Sequence, residues 1–395
     1  LIQRGVPTLF LAQAWFWKDP ENRPKPGPAR LMIWQKVPEE GWQSVKLEDS
    51  DSNVFHKAIP YDGSLITIGA EGAMLKKWTP TEVTEDNKSG WTSETLWEKS
   101  WGGKYDRLRD LEIGDVDGDG KDEFVIASHD AGVVAVYNPP DAEGGEAEVI
   151  ELDQQADIFV HEIEIGDIDG DGQKEFFATP TGRNKANSSQ SGQMVMYRWD
   201  GEAYKKTLVD PFGKTHAKEI LVTDIDGDGK SELFSVVEAE ASGPSITKPV
   251  EIRQYTLSED GTLFSYTVIG TIQDRQTRFL VPGDFDQDGK QELVAAAMRS
   301  GLWLFDSQED AKGKSDEEHT PWKKTQIDPI SSGFEHTTLA ADLDGDGVLE
   351  LYVAADDQRE LKKYTWNTEK KNFDKKLIGR LKPDTITWNI TAATF

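Results

Sequence analysis

The chain has no cysteine. A disulfide framework, a thiolate nucleophile and a cysteine-ligated metal are therefore excluded, and thiol usage says nothing about compartment. Histidines number only six among 395 residues. No apolar run reaches the roughly 18 residues that a membrane-spanning helix needs. No charged n-region followed by an apolar h-region marks a signal peptide, and the chain opens inside a repeat, as expected of a processed form. Cations are scarce: 44 Lys and Arg face 72 Asp and Glu, for a net charge of −28. Affinity for nucleic acid comes from Lys and Arg on phosphate, so nucleic acid is not an expected partner. No G-x-S-x-G elbow, Walker loop or H-E-x-x-H is present, which leaves serine hydrolase, P-loop and zincin readings without support. Hydrophobic residues make up only 36% of the chain. That low share suits short strands joined by many turns, and 35 glycines supply the turns.

Against these absences stand five copies of one acidic loop, D-x-D-x-D-G-x-x-E, starting at Asp115, Asp167, Asp224, Asp284 and Asp342. A hard cation such as Ca²⁺ takes six to eight oxygens, roughly 2.3–2.6 Å away. In the first copy Asp115, Asp117 and Asp119 offer carboxylates on alternate residues, Gly120 permits the bend, and the Lys121 carbonyl and Glu123 carboxylate close the shell. The later copies offer Asp167, Asp169, Asp171, Gln173 and Glu175; Asp224, Asp226, Asp228, Lys230 and Glu232; Asp284, Asp286, Asp288, Lys290 and Glu292; and Asp342, Asp344, Asp346, Val348 and Glu350. An EF-hand requires an acid at loop position 12. Ile126, Ala178, Ser235, Ala295 and Val353 stand there, and the flanks read as strands, so the EF-hand reading fails. The expectation is about five structural Ca²⁺ ions. The alternative is an acidic hairpin turn without metal.

With its pattern of strand, DxDGDGxxE(L/F) loop and strand, the chain resembles the FG-GAP/VCBS repeat family, to which the integrin α-chain propeller belongs. The resemblance implies an all-β propeller with calcium in the first hairpin of each blade. Two degenerate units precede the clear ones. Residues 54–78 keep the strands without the acidic ladder, so no calcium is expected there. Residues 7–35 match the second and third strands of a unit but lack its first. Thr387–Phe395 reads like the missing strand and stops where a loop would start. The expected fold is thus a single seven-bladed propeller, its first blade completed by the C-terminal strand, which leaves no exposed sheet edge. The blades run approximately 1–50 with 384–395, then 51–103, 104–157, 158–212, 213–270, 271–330 and 331–383.

Six residues before the first Asp of each loop stand Arg109, His161, Lys218, Arg278 and His336. The degenerate second unit contributes His56 and the closing strand Trp388. Six strand residues span roughly 20 Å, so this ring lies at the strand ends away from the loops. The resemblance places those strands against a central channel. Long connections return to the same side at Phe16–Arg30, Pro180–Gln193 and Glu238–Val250, and carry Trp15, Trp17, Arg183 and Lys185. Asp110, Glu162 and Glu219 each follow a ring residue, so the ring reads either as an ion-pair belt or as a site for an anion.

Three functions fit. The first is a secreted or surface binding propeller for a glycan or other anionic or protein ligand on the side opposite the calcium loops. The second is a lyase or dehydratase acting on acidic sugars, with His161 or His216 as base. The third is a structural subunit of a larger assembly. Calcium dependence points to an extracellular, periplasmic or cell-surface setting. Asn87 and Asn187 stand in N-x-S sequons.

Overall fold

A computed structural model describes residues 3–85, 87–103, 106–140, 144–183, 189–258, 261–307 and 322–395. Lys185 and Asn187 lie outside these residues. The fold is an all-β, seven-bladed propeller, with no helix among the described residues. Blades 2 to 7 are each an antiparallel sheet of four strands taken in chain order. Contacts gather the chain into two compact units. One is Leu1–Leu108 with Phe285–Gln287 and Ser331–Phe395, and holds blades 1, 2 and 7. The other is Arg109–Asp284 with Asp288–Ile330, and holds blades 3 to 6.

Blade 1 takes its first strand from the far end of the sequence. Thr385–Ala393 pairs antiparallel with Thr8–Lys18, running from Thr8 opposite Ala393 to Trp15 opposite Thr385. Ala29–Val37 and Gly41–Asp49 complete the sheet. The closing strand is also tied sideways to blade 7, where Asp356 accepts bonds from the Thr387 amide at 2.7 Å and the Thr387 hydroxyl at 2.9 Å.

The second strands explain how so little hydrophobic residue suffices. They read Leu-Ile-Thr-Ile, Phe-Val-Ile-Ala, Phe-Phe-Ala, Leu-Phe-Ser-Val, Leu-Val-Ala-Ala and Leu-Tyr-Val-Ala, apolar on both faces rather than alternating. Where such a strand lies between two blades, both its faces meet a neighbour. In Thr8–Lys18, Phe10 and Ala12 pack with Phe55, Leu65 and Trp78 of blade 2. Leu9 and Leu11, on the other face, pack with Tyr352, Ala354 and Leu361 of blade 7. Blades 5 and 6 join in the same manner through Phe234, Ile252, Leu280, Leu293 and Phe305. Each fully buried side chain of this size contributes about 1.5–3 kcal/mol, and the fourth strands, half exposed, carry the charge.

Three connections expected as loops are partly strands. Phe16–Lys18 pairs with Pro24–Pro26, Glu240–Ser242 pairs with Ser245–Lys248, and Thr181 bridges Gly192. Extending the ladder gives these backbone amides partners that a free loop would leave to water.

Burial pushes the Asp356 carboxyl up to about 7, reinforced by the charges of Asp357 and Glu335 and opposed by the two Thr387 bonds. A carboxyl raised on folding favours the folded state while protonated. Its contribution is full below the ordinary aspartate range near pH 4 and is lost as the pH rises through about 7. Asp356→Asn keeps an acceptor for the Thr387 amide without the titration. Urea unfolding at saturating Ca²⁺ should show the wild type losing on the order of a few kcal/mol more than Asp356→Asn between pH 5 and pH 8. Parallel profiles would refute the assignment.

Candidate calcium loops and a basic cluster at opposite strand ends

The five acidic loops close in the same way. Asp115 accepts from the Gly118 amide at 2.7 Å with one oxygen and from the Gly120 amide at 3.0 Å with the other. Asp167, Asp224 and Asp342 repeat this on Gly170 and Gly172, Gly227 and Gly229, and Gly345 and Gly347. The glutamate at the ninth loop position reaches back: Glu123 accepts from Val116 at 2.9 Å and Glu232 from Ile225 at 2.9 Å. The first and second Asp and the Glu of each loop thereby converge, with ligand oxygens within 4.8 Å of one another. The third Asp joins this cluster only as Asp288 in blade 6. Asp119, Asp171, Asp228 and Asp346 each turn one oxygen onto the amide two residues ahead, at Lys121, Gln173, Lys230 and Val348.

Blade 6 departs from the others in one residue. Gln287 stands where they have glycine, and takes φ of 62°. Asp284 keeps its bond from Gly289 at 3.1 Å, but its other oxygen is buried without a hydrogen-bond partner. That orphaned oxygen and the convergent carboxylates suit a hard divalent cation, which would replace the missing donor. Burial, followed by the charges of Asp117, Asp119 and Asp115, pushes Glu123 up to about 7. A bound cation would remove that strain.

The predicted ring residues lie at the other ends of the first strands, His336 just ahead of Thr338–Ala341, and in blades 1, 2, 4, 5 and 6 the strands bulge there. In blade 4 Val160 pairs with Pro180 and Ile163 with Ala178, so His161 and Glu162 share one opposing residue. Lys218 and Glu219 do the same in blade 5, and Arg278 and Phe279 in blade 6. The register also slips at His56 in blade 2 and at Trp388 in blade 1. A bulge leaves a backbone amide outside the ladder and redirects the side chains beside it. A residue of the preceding blade takes up that amide. Asp110 accepts from Ile163 at 2.7 Å, Glu219 from Leu280 at 2.7 Å, and the Asn389 side chain from Ala58 at 3.3 Å. Two of the acids that follow ring residues, Asp110 and Glu219, thus bond to the next blade's backbone.

Six of the seven predicted ring residues are buried: His56, Arg109, His161, Lys218, Arg278 and His336. Trp388 is half-buried, edge-on to His56. The His56 ring nitrogen lies 2.6 Å from the Leu108 carbonyl, and the His336 ring lies 2.8 Å from the Ser331 hydroxyl. Within blades 3 to 6 the structure adds residues that the alignment missed. His129 lies beside His161, with ring centroids 5.1 Å apart, and His216 follows at 6.3 Å. Glu238 takes His216 at 3.1 Å and Arg278 at 3.4 Å. His129 and Glu238 each stand six residues after a loop glutamate, a spacing visible in the sequence. Gln190, 3.3 Å from His216, comes from a long connection that no repeat position would find.

The field in this cluster is positive. Burial first, then Lys218, His129, Arg109 and His216, hold His161 well below the ordinary imidazole range, and its Nε2 is buried without a hydrogen-bond partner. Burial acts to raise Glu238, yet His216, Lys218 and Arg278 together hold it below the usual carboxylate range. Beside the cluster, an open pocket of about 500 Å³ at the blade 4 and blade 5 extensions is lined by Arg183, Ser189, Gln190, Lys214, Glu240 and Thr247.

A model of the FG-GAP-like repeat matches residues 115–178 and 284–353. The protein carries FG-GAP-like repeats. No curated protein matches the sequence. Among solved structures, this FG-GAP-repeat propeller is similar to a putative 6-phosphogluconolactonase from Bacteroides fragilis, at 13% identity over 98% of each chain with a TM-score of 0.59. It is also similar to one from Bacteroides uniformis, at 10% identity over 99% of this chain and 100% of that one, with a TM-score of 0.60. The periplasmic gluconolactonase of Pseudomonas aeruginosa gives 13% identity over 98% and 100%, with a TM-score of 0.54. At these identities the likeness shows the fold alone.

Removing the acceptor for a bulge amide tests the blade-to-blade bond. Glu219→Ala leaves the buried Leu280 amide without this acceptor and should cost about 1–3 kcal/mol in urea unfolding at fixed Ca²⁺. Glu219→Gln retains an acceptor oxygen and should recover most of that loss. Equal losses for the two variants would show that Glu219 acts through its charge.

Proposed function

We propose that this is a calcium-stabilised binding propeller that takes an anionic ligand, an acidic glycan in the first instance, at the strand ends opposite its calcium loops. The observation that carries this reading is charge segregation along single strands. The chain is strongly acidic overall, and each loop end is acidic. Yet the other ends in blades 3 to 6 gather Arg109, Lys218 and Arg278 with three imidazoles, and these charges add to burial in holding His161 well below the ordinary imidazole range. A positive site on an anionic protein concentrates anions that the rest of the surface repels. The adjacent cavity carries exposed Arg183 and Lys214 with hydroxyl and amide groups, the mixture that sugar carboxylates and hydroxyls require. Calcium is structural in this reading, and the need to fill the loops favours an extracellular, periplasmic or cell-surface setting.

A second reading is favoured by the buried His216–Glu238 pair, whose geometry suits a general base on an acidic sugar. The gluconolactonase names among the structural neighbours refer to sugar-acid substrates and supply an assay rather than an argument.

Chelation tests the calcium component. EDTA should lower the melting temperature by about 10 °C or more, because each ion bound only to the folded state stabilises it by mass action. An unchanged value removes calcium from the account. Calorimetric titration with acidic and neutral oligosaccharides at saturating Ca²⁺ tests the ligand. Binding confined to the acidic set, and weakened about tenfold or more in Arg183→Ala/Lys214→Ala, supports the site. No heat from any acidic saccharide would overturn it. Ultraviolet absorbance from unsaturated products, or lactone hydrolysis, would make it catalytic.

A further inference from the structure

The five loops share a motif, but their third strands treat them differently. In blade 4 Arg198, on the strand Met194–Trp199, donates Nε to Glu175 at 2.7 Å and a terminal nitrogen to Asp169. In blade 7 Lys363, on the strand Glu360–Asn367, donates to Asp344 at 3.0 Å and to Glu350. In both cases the cation reaches the second Asp and the Glu, two of the carboxylates that converge for a metal. The third strands of blades 3, 5 and 6 carry no Lys or Arg at either place. At the register of Arg198 they present Asn138, Thr256 and Asp306, and at the register of Lys363 they present Val136, Gln254 and Leu304.

We propose that the loops are of two kinds. Those of blades 3 and 5 take Ca²⁺ tightly. Those of blades 4 and 7 are held by a tethered counter-ion and take Ca²⁺ only at higher concentration. The inference rests on the calcium reading and adds Arg198 and Lys363 as the residues that set affinity. Calcium affinity follows the net charge of the ligand set. A guanidinium never gives up its proton and holds a carboxylate pair in a fixed fork, so the ion must displace it rather than neutralise it. Lys363 has the same charge on a flexible stem, so its loop should be the easier of the two to fill. In return, the tethered pair keeps its hairpin closed when calcium is low.

The test is Ca²⁺ binding by equilibrium dialysis and calorimetry, with melting in EDTA as a second readout. The wild type should fill in two phases, the sites of blades 3 and 5 before those of blades 4 and 7. Arg198→Met/Lys363→Met keeps most of each apolar stem, and should tighten the weak phase about tenfold or more while lowering the melting temperature in EDTA. Five equivalent sites in the wild type would overturn the inference even if the variant fails to fold. Two phases left unchanged in the variant would also overturn it, with the calcium reading intact. No Ca²⁺ uptake at all would overturn both.

Discussion

An amide that a bulge removes from its ladder must find an acceptor, and in this protein the acceptor stands on the neighbouring blade. The bond from Ile163 to Asp110, its repeat from Leu280 to Glu219, and its variant from Ala58 to Asn389 satisfy a group whose burial unpaired would cost more than most contacts contribute. Each bond also fixes where one first strand sits against the next, because a charge-assisted bond to a backbone amide tolerates little displacement. The bulge, the acid and the ring residue are therefore one device. The extra residue that creates the unpaired amide also swings a basic or aromatic side chain into a position that a regular ladder would give to an apolar one.

That device gathers many buried charges at one end of the first strands. Asp110 and Glu219 bond there to the backbone of the next blade, and Glu238 is shared between His216 and Arg278. At the other end of the same strands the loops converge carboxylates. A strand of seven to nine residues thus connects a site suited to a cation with a site suited to an anion. The hydrophobic second strands keep water from screening the interior between them.

Much of this was legible in the residues. The acidic loops declare themselves because a Ca²⁺ site needs oxygens at fixed offsets, and offsets survive in a sequence. The closing strand was readable because Thr387–Phe395 carries the apolar pattern of a first strand with no loop after it, although its pairing begins two residues earlier, at Thr385. The ring emerged from alignment alone, since a bulge position repeats as faithfully as a loop position does. What the sequence did not convey is direction. Whether Asp110 turns to Arg109 or to the Ile163 amide depends on the extra residue in the strand, and a bulge has no residue signature of its own. Gln190 and the paired extensions at Glu240–Lys248 were hidden for a different reason. They belong to insertions that occur in single blades, and repeat logic is blind to whatever happens once.

Repeats also mislead by suggesting equivalence. Gln287 shows how far the loop backbone is held by its surroundings: a side chain accepts the left-handed conformation that glycine takes in every other copy, and one Asp284 oxygen loses its donor. Arg198 and Lys363 show the converse, where an unchanged loop acquires a new neighbour from a strand that the motif does not include. A cation tethered by covalent structure has no concentration, whereas a dissolved one does. A loop that holds such a cation keeps its geometry at any calcium level, and gives up calcium affinity in proportion. A propeller whose neighbouring blades depend on one another through bulge amides benefits from holding some hairpins in this way, because one blade that opens withdraws an acceptor from the next.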